Sequence, residues 1–357
     1  MKRAALLFAI GCAAGPDVTP APPKTSPPPA PSAPADAQVA ATPVVDREAT
    51  WLRGSTHVHA KPSGDSSEPI ESVLAWYEQH GYDFIVLTDH NRVTMPPPAK
   101  KLLVIAGTEL TQNPQGCEPA GDGTCRIHVN AIGATARPEG KIAWADHHDK
   151  ERALLYQRAF DEAKNLGAAI VQVNHPNWHW GMTSELLIDL AKRGARLVEI
   201  WNVQFEKWNG GDATHPSVEA EWDAALSAGE RLWGVASDDA HDYDTLKKGK
   251  YPAGGGWVVV HARRDAQAIL DALAAGQFYA STGVTLNRAE VENNELVVEV
   301  APEPSRTYTI TFVENGTVAA TVNGPSGRRQ VPQSGYLRAV ITRDDGKKAW
   351  VQPVRRN

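Results

Sequence analysis

Nearly continuous apolar runs alternate with amphipathic segments over most of this 357-residue chain. Residues 84–87 and 168–173 form such runs, a pattern typical of strands buried on both faces. Between the runs, apolar residues recur at i, i+3, i+4 and i+7, as in 70–77, which predicts helices that face a sheet. The predicted strands are 51–59, 84–87, 102–106, 127–132, 168–173, 197–200, 232–236 and 257–260, and the predicted helices begin near Ser67 and cover 150–166, 184–192, 218–228 and 265–275.

This alternation predicts an α/β fold over residues 45–285, and about seven parallel strands in roughly 240 residues favour a (β/α) barrel. Over residues 286–357 the pattern changes to short alternating runs, which Asn-Gly, Gly-Pro and Asp-Gly turns separate. This part is predicted to be a small all-β domain. It contains no histidine, so we expect it to pack or to border the substrate site rather than to carry chemistry.

The N-terminal segment has the parts of an export signal: a positively charged start, an apolar stretch over 4–10, and then Cys12. Residues 1–12 resemble a bacterial lipoprotein signal, in which the cysteine becomes the lipidated first residue. The alternative is an uncleaved or Sec-cleaved terminus with an incidental cysteine. Residues 13–44 are rich in Pro and Ala and predict a disordered tether. We therefore expect a cell-envelope protein, lipid-anchored through Cys12 or else periplasmic or extracellular.

Composition limits the classes of protein that fit. The formal net charge of −6 gives no basic signature, so no nucleic-acid partner is expected. No apolar run is long enough to span a membrane, and a soluble globular protein is predicted. Cys117 and Cys125 predict a small disulfide-closed loop in an exported protein, whereas in a cytosolic protein they would be two free thiols.

The candidate chemistry begins with His57 and His59. In a strand, residues i and i+2 lie on one face, so two imidazoles there can bind one cation; the alternative is a pair of ordinary histidines at a strand end. Further residues of metal-ligand type follow, mostly at predicted strand ends, where a parallel barrel collects its catalytic groups. The candidate metal ligands are His57, His59, Asp65, His90, Glu109, His128, His175, Asp239 and His241. Asp239 is preferred to Asp238 because it repeats the i, i+2 relation with His241.

Together these motifs resemble the polymerase-and-histidinol-phosphatase (PHP) superfamily. The His-x-His opening and the Thr-Asp-His-Asn, Gly-Thr-Glu, Asn-His-Pro and Ser-Asp-Asp-Ala-His runs occur in that family's order, over about residues 50–285. The resemblance implies a distorted seven-stranded (β/α) barrel of PHP type with two or three divalent metal ions. The added β-rich segment, with its Ala-Trp-Val-Gln-Pro run at 349–353, resembles the carbaryl-hydrolase-like branch.

The resemblance also implies which residues hold each ion. The implied ligand sets are His57, His59, Glu109 and Asp239 for one ion, Glu109 as a bridge with His128 and His175 for a second, and Asp65, His90 and His241 for a third. Loops vary at the position of Asp65, and without it the site would hold two ions. Mixed histidine and carboxylate ligands suit Zn²⁺, Mn²⁺ or Fe²⁺. Such ions lower the pKa of bound water from ~15.7 to about 7, which supplies hydroxide at neutral pH.

Several neighbouring residues receive predicted roles. The predicted catalytic residues are Glu109, Asp239 and His179, the last as a proton donor to the leaving group. Asp89 is predicted to orient an imidazole, the alternative being a helix cap or a surface acid. The remaining assignments are Asn177, Trp178 and Trp180 as pocket lining, His147 and His148 as a lid or a solvated turn, Arg92 as a phosphate-binding cation, and His80, His215 and His261 as structural or surface residues.

Three functions stay open from the sequence. The superfamily resemblance favours an exported metal-dependent hydrolase of small-molecule phosphate mono- or diesters. The carbaryl-hydrolase-like features favour a metal-dependent hydrolase of carbamates or other esters. The third function is a non-catalytic metal- or glycan-binding lipoprotein. A full set of ligand-type residues argues against this third function, because a degenerate binder is expected to have lost some of them.

Overall fold

The computed structural model describes residues 48–95, 97–145, 149–243 and 251–356. The predicted signal at 1–12, the predicted tether at 13–44 and the pair His147 and His148 lie outside these ranges. Within them, no helix is both long enough and apolar enough to cross a membrane.

The N-terminal three-quarters of the described chain alternate strands and helices, as the sequence predicts. The strands are β1 (Thr50–Val58), β2 (Phe84–Leu87), β3 (Leu103–Gln112), β4 (Ile127–Ile132), β5 (Ile170–Val173), β6 (Leu197–Asn202), β7 (Trp233–Ser237), β8 (Trp257–Ala262) and β9 (Phe278–Ser281). The helices are α1 (Ile70–Gln79), α2 (Arg152–Asn165), α3 (Ser184–Arg193), α4 (Glu206–Asn209), α5 (Val218–Ser227) and α6 (Ala266–Ala275). The first helix begins at Ile70 rather than near Ser67, because Pro69 has an extended backbone (ψ 146°) and forms its N-cap.

Local sequence explains where several helices begin. The side chains of Thr183, Ser217 and Asp265 each accept a hydrogen bond from a backbone N–H in the first turn of α3, α5 and α6. These hydroxyl and carboxylate caps satisfy donors that a helix start leaves without intrahelical partners.

One sheet of thirteen strands forms the centre of the fold. Strands β1 to β7 lie side by side in chain order, with β3–β4 and β4–β5 antiparallel and the other neighbours parallel. The α/β class and the large sheet are as predicted, but the predicted closed barrel is not confirmed. Strand β8 pairs with β1 over 50–54, which occupies one edge of β1 and leaves only its end free. There Val58 forms a single bridge with Ala240, just beyond β7, and no described ladder joins β7 to β1.

The C-terminal region consists of strands. They are β10 (Leu286–Glu292), β11 (Glu295–Val300), β12 (Tyr308–Glu314), β13 (Thr317–Asn323), β14 (Ser326–Gln330), β15 (Leu337–Arg343) and β16 (Lys348–Val354). Strand β16 pairs with β9, so that β12, β13, β15 and β16 extend the main sheet, while β10, β11 and β14 form a separate three-stranded sheet. A separate C-terminal domain is therefore not confirmed.

Buried polar contacts tie this region to the rest of the fold. Arg338 donates two hydrogen bonds of 2.7 Å to Asp223 in α5, and Tyr336 donates a third. The side chain of Gln352 bonds both backbone groups of Gly234 in β7, at 2.9 Å and 2.7 Å. Because β7 leads to the predicted ligands Asp239 and His241, the C-terminal strands help to hold in place the strand that presents these two ligands.

Candidate metal centre

Nine side chains from six strands or strand ends and one loop meet at one end of the sheet. They are the predicted ligands, and their donor atoms form three compact groups. These groups are His57, His59 and Asp239; Glu109, His128 and His175; and His59, Asp65, His90 and His241. The groups differ from the predicted ligand sets in two ways: His59 also belongs to the third group, and Glu109 is grouped with His128 and His175 but not with His57, His59 and Asp239.

Backbone geometry at the strand ends turns these side chains inward. The N–H of His59 bonds the carbonyl of Ala240 at 3.1 Å, and His90 bridges Glu109 through the backbone. His175 and Asp239 have positive φ angles of 25° and 46°. Residues other than glycine rarely adopt this region, and such strain of about 1–3 kcal/mol per residue clusters at functional sites.

Glu109 is the most connected side chain of the cluster. Its Oε1 lies 3.0 Å from Nδ1 of His128, 3.4 Å from Nε2 of His57 and 3.5 Å from Nε2 of His175. Its Oε2 lies 2.8 Å from Nδ1 of His90 and 3.6 Å from Nε2 of His59. A carboxylate with both oxygens among imidazoles has the position required of a bridging ligand.

Asp239 contributes the second central carboxylate. Its Oδ1 lies 3.2 Å from Nε2 of His57 and 3.2 Å from Nε2 of His59, and its Oδ2 lies 3.9 Å from Nε2 of His175. The neighbouring Asp238 faces elsewhere, since its Oδ2 accepts a hydrogen bond of 2.7 Å from the backbone N–H of Gly254. The choice of Asp239 over Asp238 therefore agrees with the side-chain positions.

The third group lies at the more open side of the cluster. Oδ2 of Asp65 lies 2.9 Å from Nε2 of His90 and 3.2 Å from Nε2 of His241. The side chain of Asp65 is 47% exposed and that of His90 is 19% exposed, whereas His57 and His59 are fully buried. Solvent or a small substrate can therefore approach from the side of Asp65.

Sequence reasoning missed Glu199, in the middle of β6. Its Oε1 accepts hydrogen bonds from Nδ1 of His57 at 2.7 Å and from the Ser237 hydroxyl at 2.5 Å. Its Oε2 accepts bonds from the backbone N–H of His175 at 2.7 Å and from the Asn202 amide at 3.0 Å. A carboxylate that holds the second nitrogen of a ligand imidazole fixes its orientation and tautomer. The sequence did contain a signal for this residue, because Glu199 is an acid inside the apolar run at 197–200. A buried acid needs polar partners, so its position indicates a polar contact inside the fold.

Asn174 was also missed. Its amide donates hydrogen bonds to Oε1 of Glu109 at 2.8 Å and to Asn130 at 2.9 Å. It lies directly before the predicted ligand His175, on the strand end already singled out. Its hydrogen bond to Oε1 holds the Glu109 carboxylate in position.

The surroundings set the charge state of the cluster. Although burial opposes it, the neighbouring histidines hold the pKa values of Asp65, Glu109 and Asp239 far below their ordinary range. Burial, together with the charge of His241, lowers the pKa of His59 to about 3. Ionised carboxylates and neutral imidazoles are the forms that bind metal ions.

Three other imidazoles, those of His57, His90 and His241, have raised pKa values and hold protons more strongly. Against the effect of burial, Asp239, Glu199 and Glu109 raise the pKa of His57 well above its ordinary value. Against burial as well, Glu109 and Asp65 raise the pKa of His90 to about 10. A cation that binds at these nitrogens must displace their protons.

The buried donor atoms fit divalent metal ions. Nε2 of His57, Nε2 of His59 and Oε2 of Glu109 are buried, and although polar neighbours lie 2.8–3.6 Å away, none of these three atoms makes a well-aligned hydrogen bond. Buried polar atoms without partners are rare and call for an explanation. Four ligand atoms at ~2.0–2.1 Å from a tetrahedral ion lie about 3.3 Å from one another, which is close to the 3.2–3.6 Å that separates these atoms from their neighbours.

His179, the predicted proton donor, lies beside the cluster rather than in it. Its ring neighbours Trp178 and Trp208, with centroids 5.5 Å and 5.8 Å away. Burial and the charge of Arg126 lower its pKa, which favours the neutral form. Its catalytic role stays a prediction.

Asp89 does not orient an imidazole, contrary to the prediction. Its Oδ1 accepts a hydrogen bond of 2.7 Å from the backbone N–H of Ala60, and its Oδ2 accepts one from the Thr94 hydroxyl. The side chain therefore ties the loop after β1 to the loop after β2. The backbone N–H of Arg92 bonds Thr108, and its role as a phosphate-binding cation stays untested.

Aromatic side chains form a wall beside His128 and His175. The Trp178 ring lies 5.5 Å and 5.2 Å from these imidazoles, and Phe205 lies 4.5 Å from His175 and 4.7 Å from Trp178. Trp180 stacks on His215 at 4.3 Å, and both border a cavity of about 340 Å³ together with 120–122. His80 stacks on Trp76, and the His261 ring lies tilted against Trp51; both histidines are exposed, as predicted.

A disulfide-closed loop forms the adjoining rim of the site. Cys117 and Cys125 are bonded, with Cα atoms 5.5 Å apart, as the sequence predicts for an exported protein. The loop leads directly to Arg126 and to β4, which carries His128. At its start, Oδ1 of Asn113 lies 2.9 Å from Nε2 of His128.

Comparison with known proteins gives little independent information. No family model matches the sequence, and no curated protein is significantly similar to it. Among solved structures, it is similar to a two-domain protein from Bacteroides vulgatus described as containing a predicted PHP-like metal-dependent phosphoesterase. The identity is 18%, the TM-score is 0.46, and the match covers 86% of this chain and 96% of the other. A likeness at this level establishes neither a common fold nor a common activity.

Proposed function

We propose that this chain is a metal-dependent hydrolase of small-molecule phosphate esters. The observation that carries the proposal is the set of buried donor atoms without partners on His57, His59 and Glu109, at the centre of three ligand groups. Two or three ions of Zn²⁺, Mn²⁺ or Fe²⁺ suit such mixed donors. The motifs that resemble the PHP superfamily supply the same residues.

The site residues have different roles according to their positions in the cluster. Glu109 and Asp239 supply negative charge at the centre, and Glu199 and Asn174 hold His57 and Glu109 in place. Divalent ions bound there supply an acidified water and positive charge for the oxygens of the scissile group. Burial of the inner donors keeps bulk water away from them, and the exposed side at Asp65 admits the substrate.

A second candidate is hydrolysis of carbamates or carboxylic esters, the activity of the carbaryl-hydrolase-like branch. The wall of Trp178, Phe205 and Trp208 favours it, because aromatic side chains stack well on an aryl group. The non-catalytic binding lipoprotein is the third candidate. The complete ligand set argues against it.

One assay separates these functions. The full-length chain, loaded with Mn²⁺ or Zn²⁺, is assayed on p-nitrophenyl phosphate, bis-p-nitrophenyl phosphate and 1-naphthyl methylcarbamate in parallel, with His57→Ala as the inactive control. We expect phosphoester cleavage that His57→Ala abolishes. Cleavage of the carbamate alone would contradict the phosphoesterase, and bound metal without any hydrolysis would leave the binding protein.

We further propose that the chain is exported and anchored to a membrane through a lipid on Cys12, with 13–44 as the tether and no nucleic-acid partner. The Cys117–Cys125 disulfide supports export, because disulfides persist mainly in oxidising compartments. Labelled palmitate should be incorporated into the wild-type chain in cells and not into Cys12→Ser. Equal labelling of both would contradict the anchor.

A further inference from the structure

The guanidinium of Arg126 lies on the wall of the candidate metal centre and pairs with no carboxylate of the described residues. The guanidinium of Arg126 sits over the Trp178 ring, 4.8 Å from its centroid. Its Nε is buried and has no hydrogen-bond partner, and no described carboxylate forms an ion pair with it. A half-buried positive charge without an ion-pair partner is costly in free energy. The position of Arg126 therefore suits an anion from outside the chain.

Arg126 lies close to the second ligand group. It directly precedes β4 and stands two residues before His128, and its guanidinium and the His128 imidazole both contact the Trp178 ring. The Trp178 ring that carries the guanidinium also contacts the imidazoles of His128 and His175. The disulfide-closed loop and the Trp178 wall therefore hold the cation beside the second ligand group.

We propose that Arg126 binds a phosphoryl oxygen of the substrate and so favours doubly charged phosphate monoesters over singly charged diesters. The inference rests on the proposed phosphoesterase function and names the substrate class of that site. A guanidinium matches phosphate with paired N–H donors, and its attraction grows with the charge of the ligand. Arg126, rather than the Arg92 singled out in the sequence, is the side chain assigned this role.

A purely structural role for Arg126 would be its stacking on Trp178. Two variants separate the two roles. Arg126→Lys keeps the positive charge and loses the planar group, whereas Arg126→Gln removes the charge and keeps a planar amide. Arg137→Gln is the matched control, because Arg137 is exposed in the loop after β4.

The test measures phosphate binding and catalysis separately on the full-length, metal-loaded protein. Calorimetric titration with inorganic phosphate should show about ten-fold weaker binding for Arg126→Gln, a smaller loss for Arg126→Lys and no change for Arg137→Gln. In assays, Arg126→Gln should raise KM for p-nitrophenyl phosphate more than for bis-p-nitrophenyl phosphate. Metal content and melting temperature equal to wild type confirm that the site is intact.

The outcomes distinguish this inference from the proposed function. Wild-type phosphate affinity in Arg126→Gln overturns the role of Arg126 even if the enzyme cleaves phosphate esters. Phosphate binding that depends on Arg126, in a protein that cleaves no phosphate ester, overturns the phosphoesterase and leaves an anion site. Equal rises in KM for p-nitrophenyl phosphate and bis-p-nitrophenyl phosphate in Arg126→Gln show that the charge of Arg126 does not select the monoester and contradict the proposal.

Discussion

Nδ1 of His57 lies 2.7 Å from Oε1 of Glu199, and neither side chain is exposed. This contact joins the first predicted ligand, on β1, to a carboxylate on β6 that the sequence motifs did not include. Glu199 also accepts the backbone N–H of His175, so one buried acid orients groups from two of the ligand sets. The geometry of the candidate metal centre therefore depends on a residue that is not itself a predicted metal ligand.

Replacement of this acid tests that dependence. Glu199→Gln keeps the shape of the side chain but removes the charge that holds the His57 imidazole. We expect metal affinity to fall by about 10–100-fold, the usual effect of losing such a partner. Competition with a chromogenic chelator measures the affinity, and Glu139→Gln, at an exposed position, is the control. Equal affinities of both variants would refute the positioning role.

The carboxylates of Glu109 and Asp65 should differ in the number of metal ions that each helps to bind. Glu109 contacts histidines of all three groups, whereas Asp65 contacts only the outer histidines His90 and His241. We expect Glu109→Gln to lose at least two ions per chain and Asp65→Asn to lose one. Elemental analysis of the purified proteins counts the ions. A Glu109→Gln protein with a full metal complement would contradict the bridging arrangement.

Metal binding should stabilise the fold and release protons. A free metal concentration of 100 times the dissociation constant adds about 2.7 kcal/mol to the free energy of unfolding. The melting temperature should therefore rise by several degrees when metal is added and fall again when a chelator removes it. Carboxylates raise the pKa values of His57 and His90, so these imidazoles hold protons at neutral pH until an ion displaces them. Metal affinity should therefore increase with pH from 6 to 9, as calorimetry in two buffers can measure. An affinity independent of pH would contradict this.

A second buried acid should make stability depend on pH. Burial, and then the charge of Glu185, raise the pKa of Glu221 from 4.5 to about 8. Between these values the folded chain keeps a proton that the unfolded chain has lost, so the free energy of unfolding falls as pH rises, by at most about 1.4 kcal/mol per unit. Glu221→Gln cannot ionise.

We therefore expect Glu221→Gln to melt above the wild type at pH 8.5 and at the same temperature at pH 5. Thermal unfolding at both pH values measures the difference. The exposed Glu139→Gln variant should follow the wild type throughout. Parallel pH dependence of Glu221→Gln and the wild type would show that Glu221 ionises as it does in solvent.

The ligand candidates could be predicted from sequence because each stands at a position that local rules define. His57 and His59 share a strand face through the i, i+2 rule, and the alternation of strands and helices implies that strand ends meet. Glu199 escaped prediction because the ligand groups that it orients, on His57 and His175, come from other strands, and only the folded sheet brings them together.

Closure of the sheet was beyond prediction for a related reason. Apolar periodicity identifies strands but does not say which edges pair. Here β8 occupies the edge of β1 that a closed barrel would leave for β7, so that Val58 and Ala240 meet in a single bridge. The same limit applies to the C-terminal strands, whose pairing with β9 no turn signal reveals.

The two bonds between Gln352 and Gly234 also affect the order of assembly. They join positions 118 residues apart, so the strand that presents Asp239 lacks this support until the ribosome has made a long further stretch of chain. Contacts of such range form late and slow folding. In a growing chain, His57 and His59 therefore emerge well before the strand that completes their surroundings is fixed, so all nine ligand side chains can meet in a supported site only after the C-terminal strands have been made.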